Sequence, residues 1–314
     1  MTNFPVFCLL GPTASGKTAL AIELVRTFPF EIISVDSAMI YKGMNIGTAK
    51  PTPEELHQAP HRLIDIFEPT EQYSVGQFYT DVIQEIEAIR ANGHYPLLVG
   101  GTMMYFYAIQ QGIALMPEAN AAVRIRIEEE AREKGWQALH AELRQVDPLT
   151  ADKIKPTDTQ RIQRALEIYR ISHIPLSEWQ QKQARHALPY SFFNLVLQPK
   201  TRAILHEKIL SRFHQMMQAG FVDEVKILYE RGDLSANLPS MRSVGYRQIW
   251  GYLEGEYDFS TLEQKILSAT RQFAKRQVTW LNKWPNAFSL ETDSQNLISK
   301  AKKYIKTPLD NIIT

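Results

Sequence analysis

Gly11-Pro12-Thr13-Ala14-Ser15-Gly16-Lys17-Thr18 fills every fixed position of the phosphate-loop pattern G-x-x-x-x-G-K-[ST]. An apolar run, Val6 to Leu10, precedes it, and the helical pattern Ala19-Leu20-Ala21-Ile22-Glu23-Leu24-Val25 follows it. Strand, glycine-rich loop and helix in that order predict backbone N–H groups turned towards an anion at a helix N-terminus. Lys17 adds a full positive charge, and the Thr18 hydroxyl suits a Mg²⁺ bridged through phosphate. The same stretch decides the fold class: α/β, a P-loop-containing parallel sheet flanked by helices.

Outward from the loop, strand and helix patterns alternate. Glu31–Asp36 reads as a second strand, Val75–Asn92 as an amphipathic helix and Tyr95–Val99 as a third strand broken by Gly100-Gly101. The apolar runs are short and nearly continuous, as parallel strands covered on both faces require. From Met116-Pro117 to about residue 190 only helical patterns occur: Val123–Lys134, Trp136–Val146 and Thr157–Ser172. Phe192–Leu197 is a further strand, followed by helices over Arg202–Gln218, Val222–Glu230 and Leu262–Leu281. The expected organisation is a core of residues 1–116 and 191–314, interrupted by a helical insertion over 117–190.

Composition narrows the chemistry. The chain has 314 residues, 44% hydrophobic and 22% charged, as in an ordinary globular protein with a sizeable core. A single cysteine, Cys8, excludes disulfides within the chain, and the eight histidines show no paired metal-ligand spacing. No apolar stretch approaches the ~20 residues of a membrane-spanning helix, so a cytoplasmic protein is expected. The net charge of +1 alone argues against a generic polyanion binder. Its distribution argues otherwise: between Glu263 and Glu291 lie Lys265, Arg271, Lys275, Arg276 and Lys283 without one acid.

Working groups in such folds gather past the carboxyl ends of strands. Asp36 closes the second strand and is followed by Ser37; it can hold Mg²⁺, serve as a general base, or simply cap a turn. Gly100-Gly101-Thr102 allows close backbone approach and supplies a hydroxyl at the same edge. The third strand ends without the aspartate that organises the metal in nucleotide-hydrolysing motors and switches, which argues against those classes. Three segments mix cations with polar or aromatic groups: Gln160-Arg161-Ile162-Gln163-Arg164, Arg242-Ser243-Val244-Gly245-Tyr246-Arg247 and Lys275-Arg276-Gln277-Val278-Thr279-Trp280. Each alone suits a solvated face; together they point to a long polyanionic partner.

Across nearly its whole length the sequence resembles the tRNA dimethylallyltransferases, also called tRNA isopentenyltransferases, of the short bacterial type. The resemblance rests on the phosphate loop, on Asp36-Ser37 running into Ile40-Tyr41-Lys42-Gly43-Met44-Asn45-Ile46-Gly47-Thr48-Ala49-Lys50-Pro51, and on His61-Arg62-Leu63-Ile64-Asp65. It continues through Gly100-Gly101-Thr102 and the three basic segments in order. It implies transfer of a dimethylallyl group from dimethylallyl diphosphate to the exocyclic amine of the adenosine 3′-adjacent to the anticodon. Asp36 would be the base, and Thr102 would position the amine or the leaving diphosphate. The phosphate loop, with Mg²⁺ on Thr18 and a further contact from Arg212, would hold a diphosphate rather than a nucleoside triphosphate. Contacts to tRNA would come from Asp36, Ser37, Ala38, Met39, Thr102 and Arg124, and from Gln160–Arg164, Arg242–Arg247 and Lys275–Asn282, the last segment including Leu281. A monomer is expected, with the insertion clasping the anticodon stem-loop. Met39 stands where many relatives have Gln, and Met103-Met104-Tyr105 where many have Gly-Leu-Tyr. A small-molecule kinase, a non-catalytic RNA-binding protein and a prenyltransferase acting on free adenine nucleotide are the rival readings.

Overall fold

The computed structural model describes residues 3–113, 116–182 and 188–313. Six parallel strands form one sheet: β1 (Phe4–Leu10), β2 (Phe30–Val35), β3 (His61–Arg62), β4 (Tyr95–Gly100), β5 (Tyr190–Gln198) and β6 (Ala287–Glu291), in the order β3-β2-β4-β1-β5-β6. β1 is central, with Phe7 level with Leu97 on one side and Phe193 on the other. Its residues Val6 to Leu10 are wholly buried because helices cover both faces, which is why the run carries no polar alternation. Each such Leu or Phe contributes about 1.5–3 kcal/mol of burial.

Around the sheet lie α1 (Lys17–Val25), α2 (Pro53–Gln58), α3 (Val75–Ala91) and α4 (Met103–Gln111). The insertion holds α5 (Ala121–Lys134), α6 (Trp136–Val146), α7 (Pro148–Ala151), α8 (Thr159–Ser172) and α9 (Leu176–Lys182). After β5 come α10 (Arg202–Gln218), α11 (Phe221–Glu230), α12 (Tyr246–Leu253), α13 (Phe259–Leu281) and α14 (Leu297–Ile313). Two compact units result, one of Met1–Gln110 with Pro189–Thr314 and one of Gln111–Leu188. Leu20 and Leu24 of α1, with Ala301 and Ile305 of α14, share the sheet core with Leu9, Leu97 and Leu195. The insertion has its own core, built on Ile127, Leu139, Leu143, Ile162 and Leu166. Among the described residues no helix is long and apolar enough to cross a membrane.

The expected strands and helices are present, with ends shifted by at most three residues. β3 and β6 have no counterpart in the sequence reading. β3 is two residues long and shows no period, and β6 is an edge strand with Phe288 and Ser289 exposed. The helices α2, α4, α7, α9, α12 and α14 have no counterpart in that reading either. The parallel register brings the carboxyl ends of β1, β2 and β4 to one edge, so the phosphate loop, Asp36 and Gly100-Gly101-Thr102 converge there. Gly100 is required for this closure: a Cβ there would fall 2.0 Å from the carbonyl oxygen of Val35.

Candidate active site

The phosphate loop is held in an anion-ready conformation. Gly16, at φ +84°, is the N-cap of α1 and offers no side chain to its free N–H groups, and no acid lies in the first turn. Ala14 also sits in the left-handed region, at φ +61°, costing about 1–2 kcal/mol. Ser15 N–H donates to the Pro12 carbonyl at 3.3 Å, and the buried Ser15 hydroxyl has no partner among the described residues. Lys17 Nζ donates to the carbonyls of Gly11 at 3.0 Å and Pro12 at 2.8 Å. Burial, then the charge of Arg212, pull the Lys17 ammonium down to about 7, and Asp36 offsets this in part. Burial lowers the Arg212 guanidinium as well, again against Asp36. Two enclosed cations thus share one carboxylate, an imbalance that an anion relieves.

Asp36 presents its two oxygens differently. Oδ1 accepts from Ala38 N–H at 2.9 Å and Met39 N–H at 3.3 Å, while among the described residues nothing donates to Oδ2. The turn cap and the candidate base are therefore the same residue. Thr102 Oγ1 accepts from Ser37 N–H at 3.1 Å, and Thr102 N–H donates to Val35 at 3.2 Å, fastening the β4 edge to the β2 edge.

These groups line a cavity of about 740 Å³. The loop, Asp36, Thr102 and Arg212 form its polar side; Ile209, Phe213, Met216, Phe221, Ile266 and Phe273 supply apolar lining. Lys208, Arg242 and Arg276 add further cations. The apolar residues escaped the sequence reading, although Leu205, Ile209 and Phe213 repeat every four residues along α10. Glu224 escaped it too. Its carboxylate accepts from the N–H groups of Asn45 (2.9 Å), Ile46 (2.7 Å) and Gly47 (3.1 Å) and from the Tyr246 hydroxyl (2.5 Å). This fixes the Gly47-Thr48 turn, whose Thr48 carbonyl accepts from Arg212 at 3.5 Å.

A family model described as IPP transferase matches residues 39–284. The tRNA dimethylallyltransferase of Legionella pneumophila (strain Lens) is 53% identical over 313 residues, 99% of each chain. That of Coxiella burnetii (strain RSA 493 / Nine Mile phase I) is 52% identical over 301 residues, 96% of this chain and 97% of its own. The chain belongs to the IPP transferase family. Among solved structures, the full-length tRNA isopentenylpyrophosphate transferase of Bacillus halodurans is similar at TM-score 0.72 and 33% identity, over 98% of this chain and 97% of that one. A eukaryotic dimethylallyltransferase acting on tRNA is similar at TM-score 0.82 and 26% identity, over 98% of this chain and 79% of its own.

In this IPP transferase several residues expected to face RNA point elsewhere. Tyr246 is fully buried with its hydroxyl on Glu224, so its ring cannot stack on a base. Ile162 is 0% exposed in the insertion core, and Leu281 is 3% exposed in the main unit. Gln277 is buried and bonds the phosphate loop instead. Arg164 and Arg124 both bind the buried carboxylate of Glu167, and Gln163 donates to Glu128 and to the Arg124 carbonyl. Arg161 and Gln160 are exposed. On the main unit Arg242, Arg247, Lys275, Arg276, Thr279, Trp280 and Asn282 are exposed, and Ser243, Val244 and Val278 are half-buried. Ser243, Val244 and Gly245 line the cavity, as do Ser37, Ala38 and Met39.

Mg²⁺ fits the IPP transferase site as a companion of a bound phosphate. Among the described residues no group of three or more His, Cys, Asp or Glu is placed to hold a metal. The Thr18 hydroxyl and the Asp36 carboxylate do line the cavity, and both are the hard oxygen donors Mg²⁺ takes alongside phosphate oxygens and water.

Proposed function

We propose that this chain transfers the dimethylallyl group of dimethylallyl diphosphate to the exocyclic amine of the adenosine 3′-adjacent to the anticodon of tRNA, releasing diphosphate. The observation that carries this is one cavity lined by Lys17, Arg212 and the phosphate loop together with the Asp36 carboxylate and apolar side chains. A diphosphate, a five-carbon chain and an amine need those three surfaces. That the Legionella and Coxiella relatives are tRNA dimethylallyltransferases supports the same reading.

The loop amides, Lys17 and Arg212 take up charge as the allylic C–O bond breaks and the electron pair leaves with the diphosphate. Mg²⁺, held through diphosphate oxygens with Thr18 as a protein donor, would neutralise part of that charge. The adenine amine is a weak nucleophile because its lone pair is delocalised. As the C–N bond forms, Asp36 Oδ2 accepts the amine proton, and Thr102 positions the amine at the strand edge. The target adenosine leaves its stack to reach these groups. Exposed Arg242, Arg247, Lys275 and Arg276 bind the RNA backbone, with the insertion clasping the stem-loop.

Labelled dimethylallyl diphosphate with Mg²⁺ and an anticodon stem-loop carrying that adenosine tests the proposal. Label should appear in the RNA and diphosphate in solution. No transfer, with ATP instead phosphorylating a small molecule, overturns it.

A further inference from the structure

Gln277 lies on α13, 264 residues from the phosphate loop in sequence, and touches it directly. Its Oε1 accepts from Thr13 N–H at 2.9 Å, and its Nε2 donates to the Gly101 carbonyl at 2.8 Å. The partners fix the amide's orientation, since Thr13 N–H can only donate and the Gly101 oxygen can only accept. The side chain is 5% exposed, and Ala274 and Leu281 anchor the same helix face at 1% and 3% exposure. Gly101 is shaped for this contact: a Cβ there would lie 2.5 Å from Gln277 Nε2. Thr102, next in the chain, carries the hydroxyl that fastens Ser37 beside Asp36.

We propose that Gln277 is a positioning residue that clamps the phosphate loop to the Thr102 turn, setting the distance between the diphosphate site and the amine site. It rests on the prenyltransferase reading above and touches no reacting atom itself. One buried amide ties the phosphate loop at Thr13 to the strand-end turn at Gly101. Because misplacement by about 1 Å can cost about 10²-fold in rate, losing the clamp should lower turnover well before it unfolds the chain.

The chemistry of the amide supplies a test. In Gln277→Glu, the protonated carboxyl reproduces both contacts: its O–H donates to Gly101 and its C=O accepts from Thr13. Deprotonated, it sets a negative oxygen against the Gly101 carbonyl. The ratio of variant to wild-type single-turnover rate should therefore rise as pH falls, by about tenfold per pH unit above the carboxyl's titration range, and level off below it. Gln277→Leu should stay about 10- to 100-fold slower at every pH and bind inorganic diphosphate more weakly, with its melting temperature checked alongside. A pH-independent ratio in Gln277→Glu, or wild-type turnover and diphosphate affinity in Gln277→Leu, overturns the clamp. Diphosphate binding is measured by calorimetry and needs no transfer, so a wild-type chain that transfers nothing would sink the prenyltransferase reading alone.

Discussion

Lys17 Nζ lies 2.8 Å from the carbonyl oxygen of Pro12 and 3.0 Å from that of Gly11, so the phosphate-loop lysine contacts its own loop. Neutral carbonyls compensate a buried ammonium poorly, and burial with Arg212 nearby brings Lys17 down to about 7. In the unfolded chain the same lysine keeps its proton to about 10.4. Between these values the unfolded state binds more protons, so this group makes stability rise with pH across that window. A diphosphate on the loop reverses the balance by pairing the ammonium. With ¹³C-labelled lysine, the Lys17 ε-carbon should titrate near neutrality in the free protein and stay protonated past about pH 9 with diphosphate. The resonance is assigned by its loss in Lys17→Met, and an ordinary titration without ligand would refute the assignment.

Asp36→Asn isolates charge from structure. The asparagine oxygen can still accept from Ala38 and Met39, so the turn survives while the free carboxylate oxygen is lost. Single-turnover transfer should fall by about 10²–10⁴-fold with little change in thermal stability. A near-normal rate would remove Asp36 from the role of base.

Glu224 is the acceptor for three consecutive backbone N–H groups as well as Tyr246. Glu224→Ala leaves those donors unpaired, at a cost of about 1–3 kcal/mol, and frees the turn that presents the Thr48 carbonyl to Arg212. The urea midpoint should drop and the KM for dimethylallyl diphosphate should rise. Tyr246→Phe keeps the three backbone bonds and should cost about 1 kcal/mol or less. Equal urea midpoints for wild type and Glu224→Ala would contradict the account.

What the sequence made legible was local. The phosphate loop, Asp36 and Gly100-Gly101-Thr102 each follow an apolar run, and one parallel register brings their strand ends together. What it concealed was non-local. Tyr246 between two arginines looks like a stacking ring, yet Glu224, 22 residues earlier, claims its hydroxyl. Gln277 sits in a basic stretch, and nothing nearby in sequence announces Thr13 or Gly101 as its partners. Arg164 differs from these, because Glu167 stands one helical turn away and the pairing could have been read from spacing.

Arg161 and Arg164 of α8 should therefore separate by experiment. Arg164 donates to Glu167 Oε2 at 2.7 Å and to the Pro117 carbonyl at 2.7 Å, and Glu167 is 0% exposed. Burial works to raise the Glu167 carboxyl, but hydrogen bonds from Arg124, Arg164 and Asn120 N–H hold it below the usual range. Arg164→Ala strips one partner from a buried carboxylate and should cost about 1–3 kcal/mol, read by thermal unfolding. Arg161 is exposed and pairs only loosely with Asp158, at 3.4 Å. Arg161→Ala should change stability by no more than about 0.5 kcal/mol. If that guanidinium meets an RNA phosphate, the same variant weakens stem-loop binding and lowers the salt slope by about one unit. An unchanged slope in Arg161→Ala would show that α8 does not contact the RNA backbone at this residue. A stable Arg164→Ala would show that Arg124 alone suffices for Glu167.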